Sequence, residues 1–328
     1  MMSRKPAILV VGGAGYIGSV TNAILVEHGY PTIVLDNLEK GHREAVHPQS
    51  AFIEGDIRDR YFVQSVFSDY PIEAVMHFGA YSLVGESMTD PDKYFSNNVE
   101  GGHMLLNAMR DHGVERIVFS STAAVYGNPV TVPIEEDMEK VPINPYGRSK
   151  LAFEYMLKSY EEAYGIRYAV LRYFNAAGAT EAYGEDHAPE THLIPLTLQV
   201  ALGKREQIAI YGTDYDTPDG TCLRDYIHVC DLAEAHRLAL EFIQSESVTC
   251  NLGNGQGFSV REVIETCRAV TGHSIPVQEA PRRPGDPARL TASAQRARTT
   301  LGWSPRYPDL RQIVESAWNW HKTHPEGY

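Results

Sequence analysis

The sequence predicts an α/β protein built on a doubly wound parallel sheet, followed by a smaller α+β region that binds substrate. A short apolar run, Ala7 to Val11, ends at a glycine-rich turn that leads into a helical pattern. Short β-rich runs then alternate with helical stretches as far as about residue 175. This alternation is typical of successive βαβ units and therefore predicts a Rossmann-type sheet.

The first βαβ unit is predicted within residues 7–35. Its first strand stops at Gly12, its helix runs from Ile17 to the residues before Gly29, and Thr32 to Leu35 forms the next strand. The rhythm then predicts strands at Phe52–Ile53, Ala74–His77, Arg116–Ser120 and Tyr168–Leu171, with helices at Tyr61–Ser68, Lys93–His112 and Pro145–Tyr164. The last helix has a favoured N-cap in Asn144 and a favoured stop in Gly165.

The regular alternation ends near residue 175. We therefore predict a dinucleotide-binding domain over residues 1–175 and a mainly substrate-binding region over 176–328, with residues of about 225–255 returning to the first domain. Helices are predicted at Leu193–Leu202, Asp231–Ile243, Val260–Thr271 and near the C-terminus, and loops at Gly184–Glu190 and Thr213–Thr221.

The bulk composition argues against several classes of protein. The 328 residues are 43% hydrophobic and 22% charged, as in ordinary globular proteins. With 29 basic and 42 acidic residues the formal net charge is −13, which argues against nucleic acid as a partner. No stretch approaches the ~20 apolar residues of a membrane span, so we expect no membrane partner.

The cysteine and histidine positions predict neither disulfides nor a metal site. The four cysteines show no CxxC spacing, which favours reduced thiols and a cytoplasmic location. Among the 13 histidines, His187 and His192 are five residues apart and show no obvious partner cluster. We therefore expect no bound metal.

The segment from Gly12 to Gly18 has glycines at three-residue intervals, at positions 12, 15 and 18. Such spacing permits a tight turn and lets a pyrophosphate approach the N-terminus of the following helix. Asp36 ends the second strand, where a carboxylate accepts both ribose hydroxyls and repels a 2′-phosphate. The sequence therefore predicts NAD rather than NADP as the cofactor.

Tyr146 and Lys150 are four residues apart at the start of a predicted helix. That spacing places both side chains on one helix face, where the ammonium is expected to favour ionisation of the phenol. A tyrosine tuned in this way is a usable proton shuttle beside a nicotinamide cofactor.

These motifs occur in an order that resembles the extended short-chain dehydrogenase/reductase family. Within it the chain is similar to the UDP-sugar 4-epimerases over almost its whole length. The segments that carry the resemblance are the glycine loop, Asp36-Asn37-Leu38, Asp56-Ile57, Val84-Gly85-Glu86-Ser87, Ser120-Ser121-Thr122, the Tyr146–Lys150 helix, Arg172-Tyr173-Phe174-Asn175, Arg224-Asp225-Tyr226-Ile227-His228-Val229 and Ala280-Pro281-Arg282-Arg283.

The resemblance implies an NAD-dependent enzyme that inverts C4 of a UDP-sugar, with UDP-glucose and UDP-galactose as the expected pair. It implies that Tyr146 is the base and that Lys150 binds the nicotinamide ribose and lowers the pKa of the Tyr146 phenol. It also implies that Thr122 forms a hydrogen bond with the sugar 4-oxygen. The implied NAD contacts, besides Tyr146 and Lys150, are Gly12, Gly15, Tyr16, Ile17, Gly18, Asp36, Asn37, Asp56, Ile57, Phe78, Ala80, Asn98 and Phe174. The implied substrate contacts, besides Thr122, are Asn175, His192, Leu193, Tyr211, Arg224, Arg283, Asp286 and Leu290.

Three positions depart from the pattern of some relatives. Ser82 and His192 stand where some epimerases have Lys and Asn, and Leu290 stands at a pocket position that is large in some members and small in others. The acceptance of an N-acetylhexosamine, a pentose or a uronate in place of glucose therefore stays open.

Two other functions compete with epimerisation. A nucleotide-sugar 4,6-dehydratase commonly has Asp-Glu after the threonine, whereas this chain has Ala123-Ala124, whose methyl groups transfer no proton. A non-catalytic NAD-sensing protein is disfavoured because Thr122, Tyr146 and Lys150 are all present. The resemblance also implies a homodimer formed by the helices near Lys93–His112 and Pro145–Tyr164.

Overall fold

The computed structural model describes residues 6–283 and 286–328, so the first five residues of the predicted first domain lie outside it. This part of the chain forms thirteen strands and eleven α-helices. The strands are β1 (Ala7–Val11), β2 (Thr32–Asp36), β3 (Ala51–Glu54), β4 (Ile72–His77), β5 (Arg116–Thr122), β6 (Arg167–Tyr173), β7 (Asn175–Ala177), β8 (Ile208–Tyr211), β9 (Leu223–His228), β10 (Val248–Leu252), β11 (Gly257–Ser259), β12 (Val277–Ala280) and β13 (Arg289–Leu290). The helices are α1 (Tyr16–Glu27), α2 (Arg60–Asp69), α3 (Val84–Thr89), α4 (Pro91–Phe95), α5 (Gly102–Asp111), α6 (Pro145–Tyr164), α7 (Leu193–Ala201), α8 (Val229–Phe242), α9 (Val260–Thr271), α10 (Gln295–Leu301) and α11 (Leu310–Thr323).

Seven parallel strands form the central sheet in the order β3-β2-β1-β4-β5-β6-β10. The strand order reverses between β1 and β4, which is the switch point of a doubly wound sheet. The fold class predicted from the sequence is therefore confirmed, and its first six strands lie close to their predicted positions.

Helices cover both faces of this sheet. Alternate residues of β1 belong to different cores: Ile8 and Val10 pack with residues of α1, α8 and α10, whereas Leu9 packs with residues of α2, α5 and α6. Successive side chains of a strand point to opposite faces, so the sequence of a strand that is buried on both sides is a continuous run of apolar residues. This accounts for the unbroken run from Ala7 to Val11.

A smaller region packs beside the sheet around its own core, to which α7, α9 and α11 contribute Ile194, Val263 and Ile313. Its strands form a four-stranded sheet containing β7, β9, β11 and β13, and a two-stranded sheet of β8 and β12. These strands are short and lack a clear period, and the sequence did not predict them.

The later part of the chain returns to the central sheet. Strand β10 pairs with β6, with Val248 opposite Ala169, and α8 packs against α1. The division of the chain near residue 175 stays a prediction, since segments on both sides of that position build the same sheet and its helical layers.

The helix predicted at Lys93–His112 is interrupted. It consists of α4, a π-helical turn over Ser96–Gly101, and α5. At the end of this turn the backbone passes close to α6, where a Cβ on Gly102 would lie 2.5 Å from the ring of Phe153. A widened turn of this kind shifts the register of a helix and leaves no signal in the apolar periodicity.

A buried ion pair ties the sheet to α6. Arg172 of β6 donates to Glu154 of α6 with an Nη2–Oε2 distance of 2.5 Å, and both side chains are less than 10% exposed. Arg172 also donates to the Tyr126 hydroxyl at 2.8 Å, and that hydroxyl donates to Asn251 of β10 at 2.7 Å. The pair is therefore fully hydrogen-bonded, as a buried charge requires.

None of the described helices combines the length and the apolar character needed to cross a membrane.

Buried neutral histidines predict acid sensitivity. Burial lowers the pKa of His77 to about 3, and that of both His228 and His236 to about 4. An unfolded histidine has a pKa of about 6.5, so below that pH the unfolded chain binds more protons than the folded chain. We expect the free energy of unfolding to fall between pH 6.5 and 4 by up to ~1.4 kcal/mol per pH unit for each histidine, as measured by urea unfolding.

The variant His77→Leu isolates one of these residues, because the buried Nδ1 of His77 has no hydrogen-bond partner. It should flatten the pH slope, while His28→Asn at the exposed end of α1 leaves the slope unchanged. Equal slopes in His77→Leu and the parent protein would show that His77 is not a source of the acid sensitivity.

Candidate active site

A cavity lies at the carboxyl ends of β1 and β4, where the strand order reverses. Ligands of doubly wound proteins bind at this position because the connections to the two neighbouring strands run to opposite faces of the sheet and leave a crevice. The cavity extends from the glycine loop to the start of α6 and is also lined by parts of the 185–192 segment.

The glycine loop closes the cavity at the end of β1. Gly12 has a φ of +76°, and a Cβ there would lie 2.5 Å from the backbone nitrogen of Gly79 after β4. A Cβ on Gly18 would lie 2.2 Å from the carbonyl oxygen of Gly12. Helix α1 starts after Gly15 without a side-chain cap, so its first N–H groups face the cavity with the geometry that binds a phosphate.

Asp36 sits at the end of β2 beside this loop. Its two carboxylate oxygens accept hydrogen bonds from the backbone of Ala14 at 3.0 Å and of Leu38 at 2.9 Å. Burial raises the pKa of Asp36, and these backbone donors offset part of that shift. A carboxylate has about four acceptor positions, so Asp36 retains capacity for two ribose hydroxyls.

Asp56, at the far end of the cavity, is held by two side chains. The guanidinium of Arg58 donates to it from two nitrogens, and Asn37 donates at 3.2 Å. The hydrogen bonds from Arg58 lower the pKa of Asp56 to about 2. Asp56 is therefore a fixed anion and acceptor at this end of the cavity.

Every predicted cofactor residue except Asn98 lines this one cavity. Asn98 is buried behind the wall, where its side chain accepts from the backbone N–H of Tyr81 at 3.0 Å and donates to Ser149 at 3.0 Å. Asn98 thus positions Tyr81, which does line the cavity and which the sequence analysis did not single out. The hydroxyl of Tyr81 donates to the carboxylate of Glu39.

Tyr146 and Lys150 project from the first turns of α6 into the cavity, and Thr122 meets them from the end of β5. Helix α6 begins as predicted, with the Asn144 side chain accepting from the Gly147 N–H at 2.8 Å. The Thr122 side chain lines the cavity together with Tyr146, and Lys150 donates to the carbonyl of Ser120 at 2.8 Å.

The electrostatics of this trio differ from the expectation. Burial raises the pKa of Tyr146, and the hydrogen bond from Thr122 offsets part of the rise. Burial also lowers the pKa of Lys150 to about 7, with Glu154 opposing the shift. The predicted lowering of the phenol pKa by Lys150 is therefore not found, because the ammonium is itself destabilised by burial and donates to Ser120.

The predicted substrate residues fall into two groups. Thr122, Asn175 and His192 line the cavity described above. The others, Leu193, Tyr211, Arg224, Arg283, Asp286 and Leu290, do not line it. Leu290 of β13 packs against the same buried apolar cluster as Phe174, which does line the cavity, so the second group adjoins the first.

The second group contains two arginines with different partners. Arg224 of β9 pairs with Asp286 at an Nη2–Oδ1 distance of 2.6 Å, and the guanidinium of Arg283 lies 4.0 Å from the centre of the Tyr211 ring. Strand pairing fixes Arg224, because β13 lies beside β9 with Leu290 opposite Arg224. Their planar forks suit a diphosphate.

The sequence analysis missed a cluster at the edge of the cavity. His187 and His192, which were expected to have no partner cluster, lie with Glu185 and Glu190 so that one ligand atom of each is within 4.8 Å of the others. The alternation of glutamate and histidine over residues 185–192 was the available signal, and the spacing of the histidines alone did not reveal it.

A family model described as the NAD dependent epimerase/dehydratase family matches residues 8–253. The chain belongs to this family. The resemblance stated from the motifs is thereby confirmed.

Several members of the NAD dependent epimerase/dehydratase family resemble this chain closely. A UDP-glucose 4-epimerase of Halalkalibacterium halodurans is 58% identical over 326 residues, which cover 98% of this chain and 97% of the relative. The solved UDP-glucose 4-epimerase of Brucella ovis in complex with NAD is 47% identical, with a TM-score of 0.93 and coverage of 95% of this chain and 97% of that one. The enzyme of Bifidobacterium longum in complex with NAD⁺ and UDP is 39% identical, with a TM-score of 0.94 and coverage of 98% and 100%.

The close approach at Gly18 predicts that Gly18→Ala loses nucleotide. The added Cβ meets the Gly12 carbonyl and forces the loop open, which should weaken NAD binding at least ~tenfold. The measurement is the NAD content of the purified protein and its affinity after stripping. Gly85→Ala in α3 is the matched control, because a Cβ there has nothing within 4 Å; equal NAD binding by both variants would contradict the assignment.

Proposed function

We propose that this protein interconverts UDP-glucose and UDP-galactose by inverting C4, using bound NAD. The observation that carries the proposal is that Tyr146, Lys150 and Thr122 meet in the same cavity as the glycine loop and Asp36. A base and a dinucleotide in one cavity permit oxidation of an alcohol. The UDP-glucose 4-epimerases similar to this chain over nearly its full length support the choice of substrate.

The phenol of Tyr146 removes the proton of the sugar 4-hydroxyl. Thr122, which lines the cavity with Tyr146, is placed to orient the 4-oxygen for this transfer. NAD held by the glycine loop, Asp36 and Lys150 would supply the acceptor and donor of the C4 hydride and a positive charge beside the phenol. Tyr146 then gives the proton back to the 4-oxygen.

Lys150 supports this transfer through its position and its charge. Its ammonium donates to the Ser120 carbonyl in the cavity that Tyr146 also lines, and its pKa of about 7 leaves it responsive to its surroundings. Hydrogen bonds from ribose hydroxyls and a neighbouring phenolate favour the charged ammonium, which in turn favours the phenolate. In the proposed reaction the two groups would therefore act as a coupled proton-transfer pair.

Inversion requires the sugar to turn while the nucleotide stays fixed. Arg224 and Arg283 are suited to hold the diphosphate, and Asn175, which lines the cavity, donates to the carbonyl of Asp225, the residue after Arg224, at 2.9 Å. With most of the binding energy on the UDP group, the 4-keto sugar is free to present its other face to the returning hydride. This is why the anchoring arginines are separated from the catalytic trio.

A 4,6-dehydratase activity is disfavoured by the residues after Thr122. Ala123 and Ala124 begin a short 3₁₀ turn over Ala123–Tyr126. Elimination of water across C5 and C6 needs an acid and a base there, and methyl groups provide neither. Epimerisation of another UDP-sugar is the remaining alternative, and Leu290 is the residue on which that choice depends.

The homodimer is proposed to form through α5 and α6. Tyr155 and Tyr164 on α6 are 62% and 50% exposed, and large exposed aromatics on one helix favour burial against a second copy. Sedimentation should give twice the monomer mass, and a monomer at all concentrations would refute the dimer. The free thiols of all four cysteines support a cytoplasmic location.

The decisive experiment is incubation of the purified protein, without added NAD, with UDP-galactose, UDP-N-acetylgalactosamine, UDP-xylose and UDP-glucuronate. Separation of the sugars should show UDP-glucose as the main product. Turnover of one of the other UDP-sugars without turnover of UDP-galactose would support epimerisation of that sugar instead. An NAD-containing protein that converts none of the four would support a sensing role.

Tyr146→Phe tests the base. Removing the hydroxyl leaves the ring packing intact, so NAD should stay bound while kcat falls by ~10²–10⁴-fold. Tyr155→Phe, nine residues along on the exposed side of the same helix, is the matched control and should keep full activity. Undiminished turnover by Tyr146→Phe would remove Tyr146 from the mechanism.

A further inference from the structure

The loop before α7 carries four metal-ligating side chains that the epimerase reaction does not use as a set. Glu185, His187, Glu190 and His192 come from one eight-residue segment, and their ligand atoms lie within 4.8 Å of one another. The two carboxylates are 5% and 6% exposed, although glutamates are almost never buried without a partner. The partner must be cationic, either protons on the histidines or a metal ion.

The distances fit the coordination shell of a small divalent ion. His187 Nδ1 lies 3.2 Å from Glu185 Oε1 and 3.7 Å from Glu190 Oε2. His192 Nδ1 lies 2.8 Å from Glu185 Oε1 and 2.9 Å from Glu190 Oε1. Tetrahedral Zn²⁺ with ligand bonds of about 2.0–2.1 Å separates its ligand atoms by about 3.3 Å, and these four values bracket that length.

A second observation favours a metal over protons. The Nδ1 atom of His187 is buried and has no hydrogen-bond partner, although it faces both carboxylates. An imidazolium confined between two carboxylates is expected to donate a hydrogen bond from that nitrogen. With no hydrogen bond to occupy it, the Nδ1 atom of His187 is available to bind an ion placed between the two carboxylates.

The outer contacts of the cluster are those of a supported site. Glu190 accepts hydrogen bonds from the backbone of Thr191 at 2.6 Å and of His192 at 2.8 Å, which fixes its carboxylate. Such bonds orient the ligands of metal sites. Two glutamates also balance the charge of a divalent ion, so the loaded cluster is neutral.

We propose that Glu185, His187, Glu190 and His192 bind one Zn²⁺ ion, which fixes the 184–192 loop against the cofactor cavity. Two nitrogens and two carboxylate oxygens in a four-coordinate arrangement match the preference of this ion. The loop is held from the cofactor side by Lys40, which donates to the Ala188 carbonyl at 2.7 Å, and the ring of Tyr16 contacts that of His187. The ion would therefore rigidify one wall of the cavity.

The test is zinc binding by the full chain, measured without substrate so that it is independent of the proposed activity. The protein is stripped with a chelator, exchanged into clean buffer and titrated with Zn²⁺ in competition with a chromophoric indicator. We expect one equivalent per chain, bound at least ~100-fold more weakly by His187→Asn and by Glu190→Gln, since even outer contacts of metal sites change affinity by 10–100-fold. His28→Asn, exposed at the end of α1, should bind like the parent protein.

Thermal melting gives the second readout. Zinc should raise the melting temperature of the parent protein and of His28→Asn but not that of the two cluster variants, whose far-ultraviolet spectra in chelator establish that they are folded. The proposal is overturned if the parent protein binds zinc no more tightly than His187→Asn does, because the cluster is then held by protons alone.

Discussion

The close passage of two strand ends governs the structure. At the switch point the backbone after β1 runs so near the backbone after β4 that a single methyl on Gly12 would lie 2.5 Å from the nitrogen of Gly79. Only glycine combines this contact with a φ of +76°. Since the start of α1, the position of Asp36 and the mouth of the cavity all follow from this turn, the nucleotide site is a consequence of how β1 meets its neighbours.

Burial of charge is the second recurring theme. Arg172 and Glu154 are fully paired and hydrogen-bonded, and they join β6 to the helix that carries Tyr146. Lys150, one turn away from Glu154, has no such complete partner and its pKa is lowered to about 7. The Arg172–Glu154 pair therefore stabilises the position of α6. The Lys150 ammonium, in contrast, lies without a complete partner in the cavity that Tyr146 also lines. Perturbed groups of the second kind are typical of functional sites.

Much of this arrangement could be predicted from the sequence, for identifiable reasons. The glycine spacing, the Asp36 position and the Tyr146–Lys150 pair are local patterns, and local patterns survive folding unchanged. Features that arise from packing were missed: the π-helical turn before α5, the placement of Asn98 behind the wall, and the carboxylates around His187. The predicted direction of the phenol pKa shift was also wrong, because helical spacing predicts that two side chains are close but not how deeply they are buried.

The return of β10 to the edge of the central sheet, next to β6, has a consequence for how the molecule holds together. A fragment that ends between β7 and β10 would lack this outer strand, and one that ends before α8 would also expose Leu171, which packs in the same core as residues of that helix. The C-terminal part of the chain is thus joined to the central sheet by one of its own strands. Such a molecule cannot exchange one half for a foreign module and must gain or lose specificity by altering single side chains.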